Sequence, residues 1–366
     1  MPEMMNAFVM PEVGKTAVTQ KPVPEPGPEE AIVRTTAALI CTSDVHTVKG
    51  ALPVAAGVTL GHEAVGVIHA LGSAVEGFTE GQRVAVNAVT PCFRCHYCQS
   101  GFTSQCGGPL GGYRYTAQMD GNMAEYFVVP AAKGNLAPIP DELSDEKAAY
   151  CCDMLSTGFM GAEHARIGLG ETVAVFAQGP VGLCATIGAN LLGAGRVIAV
   201  EARPERQELA RRFGADDVVD FTAGDPVDQI MDLTGGEGVD AAIEAFGFPQ
   251  TFEACVRVTK AGGRVSNIGY HGENPEPLKL PLDAFGLGGR QVHPHRTLPG
   301  RQHPDGAAVP AAALRPGRSD PDDHPPLRLR RHRDGLHDDA GQVGQHRQAA
   351  HHVPVTPRTD QEEGLR

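Results

Sequence analysis

The chain has 366 residues, 41% of them hydrophobic, which suits two domains built around separate cores. A net charge of −13 repels a phosphate backbone and argues against nucleic acid as a partner. There is no uninterrupted apolar run of about 18 residues, so no membrane span is expected. The opening MPEMMNAFVMPEVGK lacks the basic, apolar and small-residue zones of a secretory signal, and a cytoplasmic protein is expected. In that compartment the nine cysteines point to metal ligation or burial, not disulfides.

In chain order, residues 1–155 carry short apolar runs broken by turn residues. IVRTTAALI (32–40), AVGVIHALG (64–72) and RVAVNAV (83–89) are predicted strands of a β-rich domain. From residue 156 to 288 strands alternate with helices. TVAVFA (172–177) is a buried strand, 181–194 a helix, RVIAV (196–200) a strand and 204–213 an amphipathic helix. VVDF (218–221), DAAIEAF (240–246) and RVSNIG (264–269) continue the series. Such alternation predicts an α/β unit with a doubly wound parallel sheet and helices on both faces. Residues 289–366 break the pattern: they have no Ile, Phe, Tyr, Met, Cys, Lys or Asn, yet hold 9 His, 12 Arg and 10 Pro. A disordered tail would read this way. The composition fits a shifted reading frame in a GC-rich gene better. TLPGRQHPDG (297–306) has codons that, read one base later, spell LCPGGSTRM.

Two groups of residues have metal chemistry. PCFRCHYCQSGFTSQC places Cys92, Cys95, Cys98 and Cys106 on one loop with spacing C-x2-C-x2-C-x7-C. Four thiolates close a tetrahedral zinc site with no open position, which makes it structural. An iron–sulfur cluster is the rival, but its fourth cysteine would follow after three residues and precede proline; here Gly107 follows. The second group is scattered: Cys41 in CTSDVH, His62 and Glu63 in GHE, Asp153 in YCCDMLSTG, with Cys151 and Cys152 as rival ligands. One sulfur, one nitrogen and one oxygen would leave zinc a fourth position for water or substrate, and Glu63 could enter when substrate is absent.

GHEAVGVIHALGSAV (61–75) matches G-H-E-x2-G-x5-G-x2-V, and with the cysteine loop the chain resembles the zinc-containing medium-chain alcohol dehydrogenases over residues 5–288. CTSDVH and DMLSTGFMGAE look like the microbial secondary-alcohol (isopropanol-type) branch. The resemblance implies a GroES-like catalytic domain (1–155), a Rossmann cofactor domain (156–288) and a homo-oligomer wherever the C-terminal segment is intact. It also implies a catalytic zinc on Cys41, His62 and Asp153. Ser43 would take the alcohol's proton and pass it through the cofactor ribose to His46, and Asp44 would orient His62.

The strand TVAVFA leads into AQGPVG (177–182), a dinucleotide fingerprint with Ala177 in the first place. Gly179 admits the pyrophosphate, Pro180 suits a first helical turn, Val181 follows it, and Gly182 lets helix and strand pack. Glu201 ends the next strand, where an acid accepts from ribose hydroxyls and repels a 2′-phosphate, favouring NAD. Arg203 could serve a phosphate and keeps NADP open. The expected function is zinc-dependent oxidation of a small, secondary alcohol. A polyol or formaldehyde dehydrogenase and a non-catalytic zinc-binding remnant are the alternatives.

Overall fold

A computed structural model describes residues 2–109, 111–271, 277–281, 284 and, for the backbone alone, 291–293. Strands β1 (Met4–Glu12) and β2 (Lys15–Pro22) form a hairpin, followed by β3 (Ala31–Leu39) and helix α1 (Thr42–Val48). Then come β4 (Val58–Thr59), β5 (Glu63–Leu71) and β6 (Arg83–Val86). The cysteine loop carries one turn, α2 (His96–Gln99), and leads to β7 (Tyr126–Val129), α3 (Ala132–Asn135), β8 (Leu136–Pro138) and α4 (Asp145–Ala149). An antiparallel sheet runs β7-β3-β5-β6-β8, and β2-β1-β4 form a smaller one. Ala31, Val33, Ile68, Val84, Val86, Phe127 and Val129 share one core cluster in the larger sheet. This is the period-2 alternation of a sheet with one packed face.

Helix α5 (Met154–His164) opens the second part, with β9 (Thr172–Phe176), α6 (Pro180–Leu191), β10 (Arg196–Val200), α7 (Pro204–Arg212) and β11 (Asp217–Val219). It continues through α8 (Pro226–Leu233), β12 (Val239–Glu244), α9 (Pro249–Val258), β13 (Thr259–Asn267) and β14 (Gln291–His293). The six strands are parallel in the order β11-β10-β9-β12-β13-β14. Along β9, Val173 and Val175 face the apolar residues of α5 and α6, while Ala174 and Phe176 face those of α8 and α9. Both faces are covered, which is why these strands read as apolar runs. The order reverses between β9 and β12, and a doubly wound sheet binds its ligand in the crevice beyond such a switch point.

The elements fall within a few residues of their predicted positions. One difference concerns the end of the chain. Strand β14 lies inside the 289–366 stretch whose sequence carries no period, and three residues are too few to declare one. The remainder of that stretch lies outside the described residues.

Candidate metal centres and cofactor site

Three separate elements deliver one cluster. Cys41 is the N-cap of α1, His62 immediately precedes β5 and Glu63 begins it, and Asp153 is the N-cap of α5. One ligand atom from each of Cys41, His62, Glu63 and Asp153 lies within 4.8 Å of all the others. Gly61 makes the approach to His62 possible. Its φ is +94°, and a Cβ there would lie 2.4 Å from Met123 Cγ, so only glycine fits on both counts. His62 Nε2 faces the cluster, 3.2 Å from Asp153 Oδ2 and 3.8 Å from Glu63 Oε1. Thr157, one turn along α5, donates its hydroxyl to Asp153 Oδ1.

Neither thiol of Cys151 or Cys152 joins this group. Cys152 packs in a core with Ile139 and Ala149 and donates to the Ala64 carbonyl at 3.4 Å.

The donor set fits a divalent cation. Both oxygens of Glu63 are buried without a hydrogen-bond partner, and an unpaired buried carboxylate is costly. In the protein alone, burial and the nearby Asp153 charge push Glu63 up to about 8. Burial likewise pushes the Cys41 thiol up to about 11. A cation among these groups would reverse both effects and satisfy the lone pairs that converge here. A sulfur, an imidazole nitrogen and carboxylate oxygens are a zinc set.

The second group is equally tight. Ligand atoms of Cys92, Cys95, Cys98 and Cys106 all lie within 4.8 Å of one another, with Cys95 Sγ 3.5 Å from Cys98 Sγ. All four are free thiols, and four sulfurs around one point suit a closed tetrahedral metal site.

Around the first cluster, Ser43 Oγ stands 3.5 Å from His62 Nε2. His46 lies further along α1 with its ring 6.0 Å from that of Tyr270, in the loop after β13. Asp44, expected to orient His62, has Oδ1 3.6 Å from Nδ1, longer than a hydrogen bond. Its oxygens instead accept from the backbone N–H groups of Gly61 and Cys41, at 3.1 and 3.0 Å. Tyr113 had no signal in the sequence, since it lies in a glycine-rich loop outside every motif. Its hydroxyl is 3.2 Å from His62 Nδ1 and donates to Ser43 Oγ at 3.4 Å. Burial pushes the phenol's pKa up, so it stays protonated.

At the switch point, Ala177 adopts φ +70° where the fingerprint has its first glycine. Gly179 is the N-cap of α6, Pro180 and Val181 open the helix, and a Cβ on Gly179 would meet nothing within 4 Å. This open N-terminus fits an anionic pyrophosphate. Glu201 is buried at 4% exposure. Its carboxylate accepts from the N–H groups of Ala202, Arg203 and Gln178, at 2.9, 3.0 and 3.2 Å. Arg203 is the N-cap of α7. Glu244, which the sequence does not single out, ends β12 fully buried and accepts from Phe246 N, Gly247 N and Thr251 Oγ1, tying the facing loop.

Known proteins carry the same architecture. Residues 27–141 match the alcohol dehydrogenase GroES-like domain, and residues 180–297 match zinc-binding dehydrogenase. An alcohol dehydrogenase of Cupriavidus necator is 48% identical over 309 residues, covering 80% of this chain and 84% of the relative. The chain belongs to the zinc-containing medium-chain alcohol dehydrogenases. This dehydrogenase is also 44% identical over 303 residues to the NADP-dependent isopropanol dehydrogenase of Thermoanaerobacter brockii, covering 82% and 85% of the two chains. The solved zinc dependent alcohol dehydrogenase 2 from Streptococcus pneumonia superposes with a TM-score of 0.73 at 33% identity, covering 80% of this chain and 83% of that one. The chain is thus an NAD(P)-dependent alcohol dehydrogenase that oxidises alcohols in a zinc-dependent reaction. No helix among the described residues is long and apolar enough to cross a membrane.

Proposed function

We propose that this enzyme oxidises a small secondary alcohol to its ketone, with zinc held by Cys41, His62 and Asp153 and NAD as hydride acceptor. The convergence of those three side chains, with the unpartnered carboxylate of Glu63 beside them, carries the reading. Glu63 is the group that can approach the ion when no substrate is present. Bound there, zinc supplies the Lewis acid that lowers the pKa of the alcohol hydroxyl, and the nicotinamide takes the hydride.

The chain's own groups handle the proton. Ser43 Oγ, beside His62, accepts it from the substrate hydroxyl, and His46, one turn along α1, returns it to solvent. The second zinc sits on Cys92, Cys95, Cys98 and Cys106 and holds their loop closed. The domain boundary falls between residues 155 and 156, at the start of α5. Nine free thiols suit a reducing, cytoplasmic setting, and a homo-oligomer is the assembly expected where the C-terminal segment is intact.

NAD is favoured by Glu201, whose buried carboxylate at the end of β10 would repel a 2′-phosphate. The secondary-alcohol preference rests on likeness to the isopropanol dehydrogenases, and Arg203 beside Glu201 is the residue of this chain that a 2′-phosphate would use. The test is NADH formation from 2-propanol, and its loss with a zinc chelator. Turnover of sorbitol but not 2-propanol would refute the substrate class. Retained zinc with no turnover of any alcohol would refute the whole reading.

A further inference from the structure

Gln178 stands between Ala177 and Gly179 in the fingerprint and is 0% exposed, so its carboxamide lies beneath the surface that a cofactor would meet. Both ends of that carboxamide are engaged. Nε2 donates to Val175 O at 3.1 Å, near the end of β9, and Oε1 accepts from Thr186 Oγ1 at 2.9 Å, in the second turn of α6. Thr186 is itself fully buried. The backbone N–H of Gln178 donates to Glu201 Oε2 at 3.2 Å, just after β10.

Its neighbour Ala177 has φ +70° where the fingerprint has glycine. In that left-handed region a Cβ crowds the following carbonyl, so alanine occupies it only where the surroundings impose it. Here they do. Ala177 N donates to Val200 O at 3.0 Å, and the bonds of Gln178 tie the next residue to β9, α6 and Glu201. The setting of this turn reaches the helix, because Gly182 of the first turn of α6 lies against the Ala177 carbonyl oxygen, 1.9 Å from where a Cβ would stand. A relaxed Ala177 would move that carbonyl and turn the open N-terminus at Gly179 off the pyrophosphate.

We propose that Gln178 is a positioning residue for the cofactor: its carboxamide, anchored on Val175 and Thr186, holds Ala177 in the left-handed turn that aims the N-terminus of α6 at the pyrophosphate. The inference rests on the reading of residues 177–182 as the pyrophosphate site.

Titration calorimetry on the full chain tests it, with NADH, or NADPH if the wild type binds that more tightly. Gln178→Met combined with Thr186→Val keeps the bulk and removes both members of the bond, so no side-chain donor or acceptor is left unpaired. The melting temperature should stay close to the wild type's while the cofactor Kd rises about tenfold, equivalent to about 1.4 kcal/mol. Ala177→Gly in that background should restore the affinity, because glycine adopts the turn without an anchor; in the wild-type background it should leave the affinity as it was. A residue that only filled space would not be rescued in this way. An unchanged Kd in the double variant, or a loss that Ala177→Gly does not reverse, overturns the positioning role while the cofactor site stands. A Gly179→Ala protein that binds the cofactor normally, or a wild type that binds neither cofactor, overturns the site reading and this inference with it. Should the double variant not fold, Thr186→Val alone decides: a rise in Kd that Ala177→Gly reverses is expected, and an unchanged Kd overturns the proposal.

Discussion

Gly182 and Ala177 meet backbone to backbone: a Cβ on Gly182 would stand 1.9 Å from the Ala177 carbonyl oxygen. The first turn of α6 could not then pack on the end of β9. Gly182→Ala should cost roughly 1–3 kcal/mol, as overpacking does, and should weaken cofactor binding with it. Gly179→Ala is the contrast, because nothing surrounds a Cβ there. Its melting temperature should match the wild type while its cofactor Kd rises. Calorimetry and cofactor titration check the pair, and a Gly179→Ala protein that binds NAD normally would mean that the open space is not cofactor space.

Glu201 sets cofactor choice in the reading above. Glu201→Ser should raise the ratio of kcat/KM for NADP over NAD by about tenfold or more, equivalent to about 1.4 kcal/mol. It should also lower the melting temperature, since three backbone N–H groups lose their acceptor and a buried unpaired donor costs about 1–3 kcal/mol. Steady-state kinetics with both cofactors gives the answer; a wild type that already prefers NADP would reverse it.

Ser43→Ala removes the proposed proton acceptor but no ligand. Turnover should fall by about 10²–10⁴-fold, the usual worth of a positioned acid or base, with metal content unchanged. Metal analysis beside kcat separates the outcomes. Loss of metal would give Ser43 a structural part instead.

Arg83 and Asp145 join β6 to α4 through hydrogen bonds of 2.9 and 2.5 Å. Burial raises the Asp145 pKa, but hydrogen bonds from Thr36 and Arg83 outweigh it and hold the carboxyl below its ordinary value. A carboxylate depressed in the folded state contributes stability above its unfolded pKa of about 4, and loses it as pH falls through the folded value. Asp145→Asn should therefore be less stable than the wild type at neutral pH, with the gap closing in acid. A gap that stays constant across that range would exclude the ion pair as its source.

We infer that residues 289–366 derive from a changed reading frame, although the family likeness extends to residue 297. Resequencing the gene across codons 280–300 should find one base gained or lost. An intact frame there would make the His-, Arg- and Pro-rich segment genuine.

How much was legible in advance followed from how local each signal was. The four-cysteine loop declared itself because all its ligands fall within residues 92–106. The parallel strands were readable because burial on both faces leaves an unbroken apolar run, as in TVAVF of β9. The acidic end of β10 could be placed by counting from the fingerprint. Cys41, His62 and Asp153 were separately weak signals; together they offered zinc a sulfur, a nitrogen and an oxygen, and family likeness favoured Asp153 over Cys151 and Cys152. Their meeting depends on the turn at Gly61 and on the N-termini of α1 and α5, which no local pattern encodes. Tyr113, Thr157 and Glu244 carried no signal at all, because a side chain acquires a partner distant in sequence only when packing brings the two within hydrogen-bond reach. Local composition and spacing thus determined the domains, the cysteine loop and the cofactor fingerprint. The tertiary structure decided which groups surround His62: it brings Asp44 Oδ1 to 3.6 Å and the Tyr113 hydroxyl to 3.2 Å from Nδ1, because contacts between residues distant in sequence are set by packing and not by local pattern.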